Sequence, residues 1–359
     1  MSTKYYTVVG MMSGTSLDGM DIILCRFHKD RGKWHYHILK AETYDYSPEW
    51  KQKLNESVTL GAGSFLLLHN EYGEYIGGRV KEFLAEDGLN AELVASHGHT
   101  IFHQPDRRFT FQLGSGATIA ARCQITTISD FRTMDVALGG QGAPLVPVGD
   151  ELLFNNYRFC LNLGGFANIS NLKNYVRIAC DICPVNIVAN NLALRAGNEF
   201  DSEGLMGSHW KIFPELVHAL NALDFYSKPA PKSLGREWVE STFFPVLSRF
   251  ELTLEDLIRC VYEHIAVQIS NYVNNYETGN VLVTGGGAFN SFLMQLIRQK
   301  SKSSFVIPEI QLVKFKEALI FAFLGLLRYL NEVNCLASAT GASSDSFSGI
   351  VNIICKKNG

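Results

Sequence analysis

The sequence predicts an α/β protein made of two lobes of the same design. Three predicted strands with a Gly-bearing first turn open each half of the chain, at Tyr5 and again at Arg158, and helices and further strands follow in both halves. The 359 residues are more than one small core needs. No low-complexity linker separates the halves. A duplicated α/β lobe with a cleft between the copies is the simplest architecture.

In the first lobe, short connections favour antiparallel pairing of the three opening strands. Helical periodicity follows from Pro48 to about Ala85, with a break near residues 61–63. A Gly-rich bend at residues 139–147 predicts a boundary or the wall of a site. An Ala-rich helix lies between the last two predicted strands. The strands are predicted at residues 5–10, 21–27, 33–43, 93–96, 109–113 and 125–128.

The second lobe repeats this order of elements without repeating residue identities. Its first turn is Gly164-Gly165-Phe166-Ala167-Asn168, and a late turn, Gly285-Gly286-Gly287, opens a helix predicted at residues 288–299. The strands are predicted at residues 158–163, 169–172, 175–179 and 280–283.

Charge and hydropathy exclude some function classes. Lys plus Arg total 32 and Asp plus Glu total 35, which gives a net charge of −3 and no global electrostatic reason to bind nucleic acid or an anionic membrane. No apolar run reaches the roughly 18 residues of a membrane span. The N-terminus lacks the apolar core of a signal peptide, so a cytoplasmic location is expected.

The eight cysteines include one close pair, Cys180 and Cys183. A lone CxxC is compatible with a redox pair or with half of a zinc site. No second CxxC completes such a site, and Cys in apolar strands behaves as a small buried hydrophobe. We favour two reduced thiols on either side of Asp181.

The opening turn lies in the string VVGMMSGTSLDGMD, residues 8–21. Its small residues let backbone N–H groups approach an anion, and Ser13, Thr15 and Ser16 add hydroxyl donors. Asp18 and Asp21 offer oxygens to a divalent cation or a bound water. From these residues alone, a phosphate cradle and an ordinary hairpin loop both remain open.

This turn and the turns at residues 162–165 and 284–287 are spaced as in the actin/Hsp70/hexokinase ATPase superfamily. Longer strings resemble the anhydro-N-acetylmuramic acid kinase family over residues 8 to about 341. They are VVGMMSGTSLDGMD, SHGHTIFHQP, DFRTMDVALGGQGAPLVP, LNLGGFANIS, KPAPKSLGRE and VTGGGAFN.

The resemblance implies two RNase H-like lobes with a central ATP/sugar cleft. The expected lobes are residues 1–130, to which the C-terminal segment can return, and residues 131–359. In the implied reaction, water adds at C1 of 1,6-anhydro-N-acetylmuramic acid, the 1,6-anhydro bond opens, and O6 receives the γ-phosphoryl group of ATP. The product, N-acetylmuramic acid 6-phosphate, belongs to peptidoglycan recycling. The family also implies Mg²⁺ and a homodimer.

The resemblance also assigns residues to the nucleotide. Asp18 is expected to hold Mg²⁺, directly or through water, with an Asx-turn role as the alternative. A tight turn without a ligand is the alternative for residues 285–287. The expected nucleotide residues are Gly14, Thr15, Ser16, Leu17, Asp18, Gly19, Met20, Asp21, Gly164, Gly165, Asn168, Gly285, Gly286, Gly287 and Asn290.

By motif position, Asp181 is the base for the attacking water. It follows the strand predicted at residues 175–179, so its carboxylate can project from a rigid edge. The alternative is a cap at the start of a helix near Asn186.

Four further residues match positions that bind the sugar substrate in the family. Arg132 can bind the lactyl carboxylate through its planar fork, or else pair with Asp130 or Asp135 and only shape the segment. Glu317 begins a helix, where a dipole role is the alternative. His97 matches a substrate wall, and a metal cluster with His99 and His103 is the disfavoured alternative. The expected substrate residues are His97, Asp130, Arg132 and Glu317.

The chain departs from the family around the base, where Asp-Thr-Gly-Pro-Gly-Asn is usual. Ile182, Cys183 and Val185 replace Thr and two Gly, which predicts added bulk where the sugar or phosphate approaches. The chain also departs from the family at three other positions: His99 replaces a usual Gln, Ser115 a usual acidic residue and Lys314 a usual Asp. A sugar kinase of shifted specificity and a non-catalytic nucleotide- or muropeptide-binding homologue are therefore alternatives. Retention of Asp181 and the glycine turns argues against the second.

Overall fold

The computed structural model describes residues 3–14, 17, 19–230 and 232–355. Two compact units make up the chain: Met1–Leu153 with Phe315–Gly359, and Phe154–Lys314. This division differs from the expected boundary at residue 130. Residues 131–153 belong to the first unit, where Asp135 is bonded to Thr340 of the returning C-terminal segment over 2.6 Å.

The strands and helices are numbered here in chain order. The strands are β1 Tyr5–Ser13, β2 Gly19–Asp30, β3 Lys33–Asp45, β4 Leu93–Gln104, β5 Phe109–Leu113, β6 Thr126–Ser129, β7 Phe159–Leu163, β8 Phe166–Lys173, β9 Val176–Pro184, β10 Asn280–Thr284, β11 Ser304–Val306 and β12 Ile350–Asn352. The helices are α1 Pro48–Glu56, α2 Ala62–Ala85, α3 Gly116–Cys123, α4 Thr133–Ala137, α5 Pro147–Leu153, α6 Asn186–Arg195, α7 Leu205–Ser208, α8 Pro214–Asn221, α9 Arg236–Trp238, α10 Phe244–Leu247, α11 Leu254–Asn274, α12 Ser291–Lys300, α13 Ile310–Tyr329 and α14 Ala337–Thr340.

The first unit contains a mixed sheet with the strand order β12-β6-β4-β1-β2-β3, in which β5 also pairs with β4. β1, β2 and β3 form an antiparallel meander, and β4 and β6 join β1 in parallel. The second unit has the order β11-β10-β7-β8-β9. Here β7, β8 and β9 form the meander, and β10 and β11 are the parallel strands.

The two sheets therefore share one connectivity: a three-strand meander, with two parallel strands following in succession on the other side of its first strand. This is the strand order of an RNase H-like fold. Its presence in both units confirms the predicted fold class, an α/β protein with a duplicated lobe. In the second unit, α6 and α11 cover the sheet over a core of aliphatic and aromatic side chains. Among the described residues, no helix is long and apolar enough to cross a bilayer.

Helix α13 continues across the division of the chain, and its part from Phe315 onward belongs to the first unit. Two glycines set how closely it packs there. A Cβ on Gly10 would overlap Ala318 O, and a Cβ on Gly325 would overlap the Cβ of Ala95. The helix thus lies directly on β1 and β4, which fixes the place of Glu317 beside this sheet.

Several predicted elements have other bounds in the structure, and three of these differences concern candidate site residues or turns. β4 runs on to Gln104 and so contains His97 and His99, and β9 runs on to Pro184 and so contains Asp181. Pairing with β5 and with β8 extends these strands beyond what local sequence favours. A 3-10 turn, Gly286–Phe289, precedes α12, which starts at Ser291 rather than at residue 288.

Candidate active site

Two glycine turns follow the carboxyl ends of two neighbouring inner strands, β7 and β10, in the second unit's sheet. β7 and β10 are parallel, with Asn162 opposite Thr284, so the turns that follow both strands emerge side by side. The start of α6 is docked on the first turn: the N–H groups of Val185 and Asn186 donate to the carbonyls of Gly165 and Gly164 at 2.8 and 3.2 Å.

Not every glycine in these turns is required by the fold. Gly285 has φ +83°, and a Cβ there would lie 2.6 Å from Asn162 Oδ1; a Cβ on Gly287 would lie 2.8 Å from that of Leu163. By contrast, a Cβ on Gly165 or Gly286 would meet nothing nearer than 3.9 or 3.6 Å, and neither residue has a positive φ. A Cβ on Gly164 would lie 3.3 Å from the Asn162 amide nitrogen and 3.8 Å from Phe166 O. Internal packing thus does not explain why these positions lack a side chain, whereas close approach of a ligand would.

Asp181 lies inside β9 and pairs across the sheet with the exposed Asn168. The structure therefore corrects the expectation that it follows a strand. It is not a helix cap either, because α6 begins at Asn186 with Val185 at its N-cap.

The Asp181 carboxylate is half-buried, and its Oδ2 accepts a hydrogen bond from Leu234 N–H at 2.8 Å. Burial raises the pKa of Asp181 to about 6, and the Leu234 bond partly offsets this rise. The group is ionised at neutral pH, yet it is more basic than an exposed carboxylate. These are the properties of a general base.

The residues that depart from the family around Asp181 lie in the core. Ile182, Cys183 and Val185 are at most 3% exposed and pack within the hydrophobic core of the second unit. The expectation of added bulk against the sugar or phosphate is therefore wrong for these side chains. Cys180 and Cys183 are buried free thiols.

In the first unit, Arg132 is held by two acceptors. Its Nε donates to His97 Nε2 at 2.9 Å, and its Nη1 donates to Gly142 O at 2.6 Å. His97 Nδ1 lies 2.8 Å from Gly98 O, a contact that requires the proton on Nδ1. Burial and the Arg132 charge hold the pKa of His97 well below its usual value, so the ring is neutral.

Arg132 lies near the Glu317 carboxylate, and Glu317 in turn lies near Asp21. Burial lowers the pKa of Arg132 to about 10, with Glu317 opposing this shift. The pKa of Glu317 is raised by loss of solvation and by Asp21, with Arg132 and Lys316 opposing. Glu317 nevertheless keeps a solvent-accessible side chain, so it can contact a ligand.

The alternative pairing of Arg132 with Asp130 or Asp135 does not occur among the described residues. Asp130, at φ +59°, accepts from the Thr133 hydroxyl at 2.6 Å and shapes the start of α4. Asp135 is buried and accepts from Gly142 N–H at 2.7 Å. Asp135 thus orders the Gly-rich bend that supplies the carbonyl partner of Arg132.

Of the opening turn, Thr15, Ser16 and Asp18 lie outside the described residues. Ser13 is buried, and its hydroxyl lies 2.7 Å from Tyr46 OH and 2.9 Å from His99 Nδ1, so its place is in an internal network. Met20 is a core residue, and a Cβ on Gly19 would lie 2.8 Å from Tyr44 O.

Two further predicted residues already have partners. Asp21 Oδ1 accepts from the Thr43 hydroxyl at 2.6 Å. Asn290 caps α12 by accepting from Leu293 N–H at 2.8 Å. Neither contact tests a nucleotide role, which stays a prediction for both residues.

Sequence reasoning missed a buried ion pair beside Glu317. Lys316 Nζ lies 2.6 Å from Asp150 Oδ1, with side chains 6% and 4% exposed. The signal was present as a lysine within the otherwise apolar face of α13. Its acidic partner, on α5, is too distant in sequence to be recognised from local pattern.

The repeated RNase H-like unit, the open glycine turns and the basic carboxylate define a phosphotransferase of the kinase class. The family model for anhydro-N-acetylmuramic acid kinase matches residues 6–353, and the chain belongs to this family.

Curated relatives match over nearly the whole chain. The anhydro-N-acetylmuramic acid kinase of Vibrio cholerae is 34% identical, with 96% of this chain and 97% of that protein covered. The protein of the same name from Mannheimia succiniciproducens is also 34% identical, with 98% and 99% covered. Among solved structures, a ROK family glucokinase from Streptomyces griseus aligns with a TM-score of 0.41 at 11% identity, covering 89% of this chain and 99% of that one. The strand order of the chain itself is therefore the ground for its fold class.

Proposed function

We propose that the protein is an ATP-dependent kinase that opens 1,6-anhydro-N-acetylmuramic acid with water and phosphorylates O6, as a step of peptidoglycan recycling. One observation carries the proposal. At the position that the family motif assigns to the base, Asp181 presents a half-buried carboxylate whose pKa is raised to about 6 and whose Oδ1 accepts no hydrogen bond from a described residue.

The proposed chemistry needs one base and one phosphoryl acceptor. Asp181 accepts a proton from the water whose oxygen bonds to C1 of the sugar. The C1–O6 bond breaks, and O6 takes the γ-phosphoryl group instead of a proton. The products are N-acetylmuramic acid 6-phosphate and ADP, and the proton on Asp181 returns to solvent.

Arg132 is proposed to bind the lactyl carboxylate of the sugar. Its Nε and Nη1 donate to protein acceptors, whereas Nη2 makes no hydrogen bond with a described residue. A guanidinium held this way presents a fixed donor to a carboxylate. The accessible Glu317 carboxylate, close enough to influence the pKa of Arg132, is proposed to accept from a sugar hydroxyl.

Gly164, Gly165 and Gly286 are proposed to face ATP, because a Cβ at these positions would meet little of the protein. Asp18, outside the described residues, stays the proposed ligand of Mg²⁺. The ion would neutralise charge on the transferring phosphoryl group. A homodimer and a cytoplasmic location complete the proposal.

The test is a coupled assay of ADP release with three acceptors: 1,6-anhydro-N-acetylmuramic acid, N-acetylmuramic acid and glucosamine. We expect turnover with the anhydro sugar. Turnover confined to another acceptor would favour a sugar kinase of shifted specificity. ADP release with none of them would contradict both kinase proposals.

A further inference from the structure

Residues 232–234 contact Asp181 twice, once at its backbone and once at its side chain. Asp181 N–H donates to Lys232 O at 2.9 Å, and Leu234 N–H donates to Asp181 Oδ2 at 2.8 Å. β9 is an edge strand, so its backbone is free to pair with a neighbouring segment on this side.

The 232–234 segment is fixed to the body of the second unit by the side chain of Lys232. Lys232 Nζ donates to Phe225 O at 3.0 Å and lies 4.5 Å from the centre of the Phe225 ring. Phe225 itself is a buried core residue. The ammonium group is therefore a tether between the core and the backbone that holds Asp181.

These contacts distinguish the two carboxylate oxygens of Asp181. Oδ2 takes the Leu234 N–H, while Oδ1 accepts nothing from the described residues. We propose that Lys232 is a positioning residue that, through the 232–234 segment, aims Asp181 Oδ1 at the attacking water. The proposal rests on the proposed function of Asp181 and concerns the same site.

Few groups around Asp181 can change charge near neutral pH. On its own strand, burial raises the pKa of the Cys180 and Cys183 thiols. Tyr226 lies near Cys183 and Tyr272 near Cys180, and burial raises the pKa of both phenols too. Burial lowers the pKa of Lys232 itself. Asp181 is therefore the group whose titration a pH profile near neutrality would follow.

The first test replaces Lys232 with Met, which keeps an unbranched side chain of nearly the same length and removes the tether. We expect kcat to fall by roughly 10- to 100-fold through misplacement of the base, with the KM for ATP unchanged. Loss of the Leu234 bond favours the protonated carboxyl, so the acid limb of kcat should move to higher pH. K232R, which keeps a cation, should recover part of both changes.

The matched control is K228M. Lys228 carries the same charge four residues earlier and its side chain is exposed. We expect K228M to keep the kcat and the acid limb of the unaltered protein. Equal effects of K228M and K232M would mean that general charge, and not the tether, is responsible, and would overturn the proposal.

A second pair of variants covers the case in which K232M fails to fold. L234P removes the backbone N–H that bonds Oδ2, while L234A loses the same side chain and keeps that N–H. The acid limb should lie at higher pH in L234P than in L234A. Coincident profiles of the two, in proteins with matching thermal unfolding, would overturn the proposal.

A binding-independent measurement separates this proposal from the proposed function. The carboxyl carbon of Asp181 is titrated by NMR in selectively labelled protein, assigned with D181N. A higher pKa in L234P than in L234A supports the positioning proposal even if no sugar is turned over. Identical pKa values in an active enzyme would contradict it and leave the kinase function standing.

Discussion

Arg132 Nε donates to His97 Nε2 over 2.9 Å, so a neutral histidine supports a half-buried cation. The other ring nitrogen, Nδ1, faces Gly98 O at 2.8 Å and must carry the proton. His97 was expected to contact substrate. Both ring nitrogens have partners within the first unit, so we propose that His97 supports sugar binding by orienting Arg132.

Replacing Arg132 with Lys should weaken sugar binding. Lysine keeps the positive charge but lacks the planar fork that bonds His97 and a ligand together. We expect the KM for the sugar to rise roughly 10- to 100-fold, as for loss of a charge-assisted hydrogen bond, with the KM for ATP unchanged. Steady-state kinetics check this, with exposed Arg107→Lys as control; an unchanged sugar KM in R132K would refute the assignment.

Gly286 and Gly287 should respond differently to the same Ala substitution. A Cβ on Gly287 would lie 2.8 Å from that of Leu163, so G287A should cost about 1–3 kcal/mol of stability. A Cβ on Gly286 would approach nothing closer than 3.6 Å, so G286A should keep its Tm but raise the KM for ATP. Thermal unfolding and ATP kinetics separate the two; a G286A enzyme with unaltered ATP kinetics speaks against a nucleotide at this turn.

The buried Lys316–Asp150 pair should contribute far more to the free energy of unfolding than an exposed ion pair does. K316M removes the cation paired with the Asp150 carboxylate, whose side chain is 4% exposed, and should cost about 3–5 kcal/mol. The control, K29M, breaks the Lys29–Glu332 pair, whose side chains are 44% and 39% exposed, and should cost less than about 1 kcal/mol. Denaturant unfolding measures both, and equal costs would rule out a special role for burial.

Asp181 should destabilise the fold when it is ionised. Its pKa is raised from 3.8 to about 6, so the folded chain binds this proton more tightly than the unfolded chain, and stability falls as pH rises through that interval. D181N should therefore be more stable at neutral pH by up to about 3 kcal/mol, with the gain shrinking toward pH about 4. Thermal unfolding across pH tests this, with exposed Asp30→Asn as control; a gain independent of pH would not fit.

The fold was largely predictable because its signals are local. Three apolar strands with short connections imply a meander, and finding the meander in both halves implies duplication. The end of β9 was missed because Asp181 and Pro184 are poor strand formers. The β8 ladder and the 232–234 segment hold that stretch extended, and both are tertiary contacts.

Sequence motifs point to candidate residues, whose roles stay predictions, but not to the contacts that those residues make. Motifs identified Asp181, Arg132 and Glu317 one by one. The partners that orient or tune them lie far away in sequence: Leu234 for Asp181, His97 for Arg132 and Lys316 with Asp150 beside Glu317. Pattern alone also placed bulk at Cys183 and Val185 in the site, whereas both side chains lie in the core, Cys183 just after an irregularity in the β8–β9 pairing and Val185 at the start of α6.

The most direct test of the account is the identity of the product formed from 1,6-anhydro-N-acetylmuramic acid and ATP, by mass spectrometry, for the unaltered protein and for D181N. We expect a sugar phosphate heavier than the substrate by one water and one phosphoryl group, formed in equal amount to ADP. D181N should form none while still binding ATP. A phosphorylated product that retains the anhydro bond, or full turnover by D181N, would contradict the claim that Asp181 activates the water that opens the ring.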